Sequence, residues 1–392
     1  MNPGSERRCG AATTVSSRRD DLNACDDCLR RTALIAALAP WLDVEWRRRS
    51  APAGVLSLPD DALAALDRSG CVGRAHAAFA PAQARERIAA AGLTAVCRCH
   101  DRYPAGLLEL ADPPAVLHVA GRPAALEQAD AVAIVGARRG TTYGIEVARA
   151  LGRGLTAAGV PVVSGMAMGV DSAAHVGALE HAPPDGSSSG RGAAAPVAVL
   201  AGAADVPYPA SRRRLHAQLV RRGCVVSELP PGFTAYRWCF VARNRLIAGL
   251  AAQTVVVEAT ERSGSLTTAD FAAQLGRPVG AVPGPVTSRF SAGTNGLLAA
   301  GAAVVRDSRD VLDQLLGPSA PPAEDPLPAV PIEPRLRRLL DAIERGHGSL
   351  AELTSDPDAT TRVLQDLTDL ELRGLVRREF GGRYVRALEG RR

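Results

Sequence analysis

The chain of 392 residues contains no lysine, so its 46 permanently basic side chains are all arginines. Without lysine there is no G-K-[ST] motif, which excludes a Walker phosphate-binding loop. The G-x-G-x-x-G dinucleotide fingerprint is also absent, so we predict no cofactor. No apolar run reaches the roughly 20 residues that a membrane-spanning helix needs, and the polar N-terminus lacks the apolar region of a secretory signal. These absences predict a cytoplasmic protein with no membrane partner.

Cysteine is sparse too, with eight residues spaced unevenly along the chain. This excludes the disulfide framework of a small secreted domain. Two pairs, Cys25-Asp-Asp-Cys28 and Cys97-Arg-Cys99, could together supply four zinc ligands. The second pair has only one intervening residue, however, and short pairs of this kind arise often by chance. The sequence therefore favours free thiols and predicts no metal site.

The net charge of +5 is distributed unevenly along the chain. Residues 1–130 hold 16 arginines and 16 acidic residues, and residues 311–392 hold 12 arginines and 14 acidic residues. Residues 131–310 hold 18 arginines and only 11 acidic residues. This central excess favours a polyanionic partner. A surface that is arginine-rich only because the whole chain lacks lysine is the alternative.

The central part of the chain alternates between two kinds of hydrophobic pattern. Short runs of small and β-branched residues predict buried strands, at 131–135, 160–163, 197–200, 224–227, 254–257, 279–282 and 302–305. Helical patterns lie between most of these runs. This alternation predicts an α/β fold, a Rossmann-like doubly wound parallel sheet. We assign the domain to residues 99–316, which include an extended stretch at 115–119.

The segments before and within this domain differ from it in composition. Residues 1–22 are polar and aperiodic, and we predict that they are disordered. Residues 23–98 predict a small all-α domain with helices at 29–38, 59–66 and 81–91. Residues 182–196 are rich in glycine, serine and proline and predict a flexible surface insertion.

Residues 317–334 are rich in proline and predict a linker to a last domain at 335–392. This domain has helical patterns followed by a hairpin with a glycine turn, the order of elements in a winged helix; the helices are predicted at 335–344, 349–354 and 359–373. Its 12 arginines face 11 acidic residues across 333–392. A winged helix without a positive face is often an interaction module rather than a DNA reader.

The carboxyl ends of the predicted strands are the expected ligand site, because open α/β sheets bind ligands there. The first strand is followed by Gly136-Ala137-Arg138-Arg139, and the later ends are Ser164-Gly165, Ala201-Gly202, Ser227-Glu228, Glu258-Ala259 and Pro283-Gly284. Two loop-to-helix junctions are predicted at the same edge, Arg243-Asn244-Arg245 and Arg262-Ser263-Gly264-Ser265-Leu266-Thr267. Backbone N–H groups at a helix start bind anions. Three such sites suit a nucleic-acid strand better than one nucleotide.

Aromatic residues make up only 4% of the chain, yet four of them lie in the ten residues before Arg243. Aromatic rings among arginines are typical of single-stranded nucleic-acid binders, because bases stack on the rings while phosphates pair with the arginines. Of the four, Tyr236 and Trp238 are the better candidates for stacking. Phe233 and Phe240 are at least as well explained by packing against the sheet edge.

Together these motifs resemble the DNA-processing protein A family (DprA, also called Smf). The resemblance spans about 100–305 and is carried by Tyr103-Pro104, Asp112-Pro113-Pro114, Ala133–Arg138, Tyr143-Gly144, Ser164–Asp171, Val199–Gly202, Tyr208-Pro209, Ser227-Glu228, Arg243–Gly249, Glu258–Ala269 and Val282–Gly284. It implies a Rossmann-like core between a helical, SAM-like domain and a winged helix. The family usually has serine at Ala137 and lysine at Arg262.

The resemblance also implies a function without catalysis. The chain would bind single-stranded DNA, form a homodimer and load the RecA recombinase during natural transformation or recombination. By position, the DNA-binding residues would be Gly136, Arg138, Arg139, Ser164, Gly165, Gly202, Arg243, Asn244, Arg245, Arg262, Ser263, Gly264, Ser265 and Thr267.

Two other functions remain open from the residues alone. A nucleotide-processing hydrolase of the N-glycosidase type would use a carboxylate near the phosphate loop, and Asp171 or Glu258 could supply it. Glu258 could equally orient Arg243 or Arg245. A partner-docking scaffold with the winged helix as its interface is the third possibility, although it leaves the central charge excess unexplained.

Overall fold

The computed structural model describes residues 24–48, 54–128, 130–182, 194–318, 333–354, 357–373, 375–379 and 381–386. The predicted disorder of 1–22, most of the insertion at 182–196 and most of the linker at 317–334 lie outside these ranges. The chain divides into two compact units, Met1–Pro321 and Pro322–Arg392, which are described separately.

The described ranges contain helices and strands in alternation. The helices are α1 (Asp26–Arg48), α2 (Asp60–Ala65), α3 (Cys71–Ala77), α4 (Pro81–Ala90), α5 (Ala105–Leu108), α6 (Thr142–Ala157), α7 (Val170–His181), α8 (Arg213–Arg222), α9 (Arg237–Leu250), α10 (Leu266–Gln274), α11 (Ala292–Ala299), α12 (Ser308–Leu316), α13 (Pro334–Glu344), α14 (Leu350–Leu353) and α15 (Pro357–Leu372). The strands are β1 (Thr94–Cys97), β2 (Val116–Gly121), β3 (Val132–Val135), β4 (Val162–Ser164), β5 (Val197–Val199), β6 (Cys224–Ser227), β7 (Gln253–Val256), β8 (Val279–Ala281), β9 (Ala303–Val304), β10 (Val376–Arg378) and β11 (Tyr384–Arg386).

The first unit is built on a nine-stranded sheet in the order β1-β2-β6-β5-β4-β3-β7-β8-β9. The seven strands from β6 to β9 in this order are parallel, as predicted. Strand β2 pairs antiparallel with both β1 and β6, so the prediction of a wholly parallel sheet is corrected at this edge. The strand order reverses between β3 and β7, which places the topological switch point of the sheet beside the loop after β3.

The central strands are buried on both faces, which explains their continuous runs of valine, isoleucine and alanine. Helix α6 packs against α7 and α12, while α9 packs against α5 and α10. Helices between parallel strands return the chain to the same edge of the sheet each time. The carboxyl ends of the strands therefore share one edge, as the alternation predicted.

The helical segment at 23–98 is not a separate all-α domain. Its last residues, Thr94–Cys97, form β1 of the sheet, and a helix at Cys71–Ala77 was not anticipated. Buried Leu38 and Leu63 share a hydrophobic cluster with Trp238 of α9. The sequence pattern missed this continuity because apolar spacing shows which face of a helix is buried but not what covers it.

The second unit contains α13, α14 and α15, followed by the antiparallel pair β10 and β11. Its core includes Leu336, Leu340, Leu367 and Tyr384. This order of elements agrees with the helices and hairpin expected from the sequence, and its designation as a winged helix stays a prediction. Within the described ranges of both units, no helix is long and apolar enough to cross a membrane.

Candidate nucleic-acid interface

The loop between β3 and α6 carries two exposed arginines, Arg138 and Arg139. The guanidinium carbon of Arg138 lies 4.9 Å from the centre of the Phe240 ring. The Phe240 ring in turn contacts the ring of Tyr208, with centroids 5.3 Å apart and planes tilted by 52°. Tyr208 is 48% exposed. We call Arg138, Phe240 and Tyr208 the aromatic cluster; it offers a cation and an accessible ring at one place on the carboxyl edge.

The structure confirms that Phe233 and Phe240 pack against a hydrophobic cluster, and it corrects the two stacking candidates. Trp238 is buried, and its indole Nε1 donates a hydrogen bond to the Ala39 carbonyl at 3.2 Å. Tyr236 is half-buried against Phe233, with ring centroids 5.9 Å apart. Because successive residues of a helix are about 100° apart, Trp238 and Phe240 point to nearly opposite sides of α9. Trp238 therefore packs while Phe240 faces Arg138, and Tyr208 was missed as a stacking candidate.

Arg243, Asn244 and Arg245 lie inside α9 rather than at a loop-to-helix junction. The helix begins early, at Arg237, whose backbone N–H donates to the Asp43 carboxylate of α1 at 3.0 Å. A remote acceptor thus satisfies one of the unpaired N–H groups at the helix start. The predicted anion site at 243–245 is wrong, because residues inside a helix have no free backbone N–H groups.

Arg243 nevertheless places a positive charge beneath the carboxyl edge. It is buried, and its Nη1 donates to the Val199 carbonyl at 3.0 Å. A Cβ atom on Gly165 would lie 1.5 Å from the same Nη1, so only glycine leaves room for this guanidinium. Burial, together with the like charge of Arg138, lowers the pKa of Arg243 to about 10. The negative charge of Asp171 acts in the opposite direction and raises this pKa. Arg243 therefore stays cationic at neutral pH, and Arg138 and Arg243 influence each other.

The loop at 262–267 exposes one cation while its polar side chains bond to each other. Asn244 Nδ2 donates to the Gly264 carbonyl at 3.0 Å and to Thr267 Oγ1 at 2.7 Å. The hydroxyls of Ser263 and Ser265 share a hydrogen bond of 2.7 Å. These bonds fix the loop and leave Arg262 exposed at the edge.

Arg245 does not belong to the interface. It is only 4% exposed, and its guanidinium forms ion pairs with Glu228 at 2.7 Å and with Asp112 at 3.0 Å. Burial alone would lower the pKa of Arg245, but the two carboxylates outweigh burial and raise it. The prediction that Arg245 holds a DNA strand is therefore corrected, since the residue neutralises two acidic side chains inside the protein.

Two further predicted residues shape the edge without being accessible. Ser164 is fully buried, and its hydroxyl donates to the Ile134 carbonyl at 2.6 Å, which ties β4 to β3. Gly202 is buried under the chain near Phe233, whose carbonyl oxygen would lie 3.1 Å from a Cβ at this position. Gly136 is half-buried in the same loop as Arg138. Of the predicted set, Arg138, Arg139, Arg262 and Gly264 are exposed.

The anion site predicted at the start of α6 is already occupied by a side chain of the protein. The Glu258 carboxylate accepts hydrogen bonds from the backbone N–H of Thr141, at 2.8 Å, and from the Thr141 hydroxyl. A Cβ on Gly144 would lie 2.3 Å from this carboxylate, so the glycine permits its close approach. Glu258 therefore caps α6, and it does not orient Arg243 or Arg245 as one hypothesis held.

Asp171 is likewise held inside the protein, in the first turn of α7. Burial raises the pKa of Asp171, while the charge of Arg243 and hydrogen bonds from the backbone N–H groups of Ala167 and Gly136 act in the opposite direction. His175, one turn further along, is fully buried, and burial lowers its pKa to about 4. Neither residue is accessible at the edge. The exposed arginine side chains, rather than the starts of α6 and α7, are therefore the groups available to an anion there.

We expect Glu258→Ala to lower the free energy of unfolding by about 1–3 kcal/mol, because the part-buried backbone N–H and the hydroxyl of Thr141, the N-cap residue of α6, both lose their acceptor. Glu258→Gln keeps an acceptor oxygen and should lose less. Urea unfolding of the two full-length variants, followed by circular dichroism, measures the difference. Equal stability of both variants and the unaltered chain would contradict the capping role.

The fold and the site together define a Rossmann-like protein whose basic carboxyl edge combines exposed arginines, a buried arginine and an accessible aromatic pair. A profile of the DNA recombination-mediator protein A family matches residues 94–316, more than half of the chain. The chain therefore belongs to the DNA recombination-mediator protein A family.

Individual relatives agree with this assignment. The putative DNA processing protein DprA of Mycobacterium tuberculosis is 39% identical over 285 residues, covering 71% of this chain and 70% of the relative. Protein Smf of Escherichia coli is 35% identical over 295 residues, covering 72% of this chain and 75% of the relative. The X-ray structure of DNA processing protein A from Streptococcus pneumoniae matches with a TM-score of 0.58 and 29% identity, covering 74% of this chain and 96% of that one.

Proposed function

We propose that this chain binds single-stranded DNA along the carboxyl edge of its sheet and promotes loading of the RecA recombinase onto that DNA. The observation that carries the proposal is the aromatic cluster, in which Arg138 lies over Phe240 with Tyr208 beside it. An exposed ring accepts an unpaired base, while the neighbouring guanidinium pairs with a phosphate. Membership of the family and the excess of arginine over acidic residues at 131–310 also support it.

The arrangement of charge supports a strand rather than a single phosphate. Arg138 and Arg139 leave the loop after β3, and Arg262 leaves the loop after β7, next to β3 in the sheet. Helix α9 contacts the loops after β4 and β7, through Arg243 beside Gly165 and Asn244 against Gly264. Adjacent loops with separate cations suit successive phosphates of one backbone.

The salt dependence of binding tests this proposal directly. Each phosphate contact on a single strand contributes a slope of about −0.7 to log K against log salt, so three exposed arginines predict a slope of about −2 or steeper. Fluorescence anisotropy with a labelled oligothymidylate measures it, and a duplex of equal length is the control. Salt-insensitive binding, or equally tight binding of the duplex, would contradict the proposal.

The geometry favours binding over hydrolysis of nucleotides. The N-glycosidase alternative needs a carboxylate that is free to act at the edge, whereas Glu258 caps α6 and Asp171 is buried in the first turn of α7. We therefore propose that the protein is not an enzyme. Release of free base from nucleotides by the purified chain, abolished by Glu258→Gln, would overturn this.

RecA loading, in DNA uptake and in homologous recombination, is the proposed outcome of binding. We further propose that the protein acts as a homodimer and that its winged helix is an interaction module. The family description as a recombination mediator supports the first part. RecA filament growth on oligothymidylate coated with single-strand-binding protein should accelerate when the chain is added. No acceleration would contradict the loading role, and a monomer mass by light scattering would contradict the dimer.

A further inference from the structure

Four cysteines from two distant parts of the chain meet in the first unit. Cys25 and Cys28 lie at the start of α1, while Cys97 ends β1 and Cys99 follows in the next turn. All four sulfur atoms lie within 4.8 Å of one another. The sequence interpretation favoured free thiols and stays a prediction; the fold adds their proximity, because α1 packs against β2 and β2 pairs with β1, which ends at Cys97.

We propose that Cys25, Cys28, Cys97 and Cys99 bind one Zn²⁺ ion in a tetrahedral site that fixes the start of α1 to the end of β1. This proposal is independent of DNA binding. Zinc–sulfur bonds of about 2.3 Å in a tetrahedron separate the sulfurs by about 3.8 Å. The Cys28 and Cys99 sulfurs are 3.7 Å apart, and those of Cys25 and Cys99 are 4.0 Å apart. The sulfurs therefore already have nearly the spacing of a Zn(Cys)₄ site.

Two of the four sulfurs accept hydrogen bonds from backbone N–H groups. The backbone N–H of Cys28 donates to the Cys25 sulfur, and those of Cys25 and Cys99 donate to the Cys97 sulfur. Backbone N–H groups around the sulfurs of a zinc–cysteine site stabilise the ligands once they are bound to the ion.

The position of the cluster explains what the ion would do. Cys99 lies 71 residues after Cys28 and 74 after Cys25, so one ion would close a long loop of chain. A Zn(Cys)₄ centre carries two negative charges, and it would lie at the start of α1, a helix of 23 residues whose dipole favours anions there. The site has four protein ligands, as structural zinc sites do, and leaves no open position for catalysis.

Metal analysis of the full-length chain tests the proposal. The chain is purified in reducing buffer without chelator, dialysed against EDTA and examined by inductively coupled plasma mass spectrometry. We expect one zinc per chain, a content at least tenfold lower in the double variant Cys28→Ser/Cys97→Ser, and no change in Cys71→Ser. Cys71 is the matched control, an exposed cysteine of the same helical segment that is not in the cluster.

Two further measurements keep the test decisive if the double variant fails to fold. Cys99→His replaces one ligand by another that zinc accepts, so this variant should retain the metal. Cobalt substituted into the unaltered chain should give the absorption of a tetrahedral tetrathiolate centre. Absence of zinc, stoichiometric iron in its place, or a mass showing that Cys28 and Cys99 are joined in a disulfide would each overturn the proposal.

Discussion

Replacing Arg245 by alanine should lower the free energy of unfolding of the first unit by about 3–5 kcal/mol. The guanidinium is 4% exposed and neutralises Glu228 and Asp112, so its removal leaves two carboxylates without a counter-charge in a region shielded from water. A loss of this size is a large fraction of the stability of an ordinary domain. Urea unfolding of the full-length chain measures it, with the transitions of the two units fitted separately.

Arg245→Lys and Arg138→Ala are the informative companions to this variant. Lysine keeps the charge but cannot pair with both carboxylates as a planar guanidinium does. The stability of Arg245→Lys should therefore fall between those of Arg245→Ala and the unaltered chain. Arg138 is exposed, and its removal should change stability by less than about 0.5 kcal/mol. Arg245→Ala stability close to that of the unaltered chain would show that the ion pairs contribute little.

The double variant Arg138→Ala/Tyr208→Ala should bind oligothymidylate about a hundredfold more weakly or worse. A stacked base contributes about 1–3 kcal/mol and a charge-assisted phosphate contact about 1.5–3 kcal/mol. A tenfold change in affinity corresponds to about 1.4 kcal/mol. Because Arg138 and Tyr208 both contact the Phe240 ring, the two single variants should be non-additive. Fluorescence anisotropy at one fixed salt concentration measures all three variants.

The single variants separate the two parts of the interaction. Arg138→Ala should make the salt slope less steep by about 0.7, whereas Tyr208→Ala should weaken binding and leave the slope unchanged. Arg221→Ala is the matched control, since it removes an exposed arginine at the last turn of α8, on the amino edge of the sheet. If Arg221→Ala weakens binding as much as Arg138→Ala, the overall charge binds DNA and the aromatic cluster has no special role.

The alternation of short apolar runs with helical patterns determined the α/β fold and the edge at which the functional residues meet. Both follow from local rules, because a buried strand reads as a β-branched run and parallel strands end at one edge. The exposed arginines of the loop after β3 could be assigned for the same reason. They directly follow a strand end.

Only the tertiary structure decided which charges are free and which rings are accessible. Asp43 of α1 fixes the start of α9, and this register buries Trp238 and turns Phe240 toward Arg138. The sequence predicted that the start of α6 binds a phosphate. In the structure the Glu258 carboxylate accepts the hydrogen bond there from Thr141, which is 117 residues away along the chain. The four cysteines meet in the same way, through strand pairing. Composition and spacing show which groups can bind a partner. Long-range contacts within the chain determine which of those groups are already bonded to other parts of the protein.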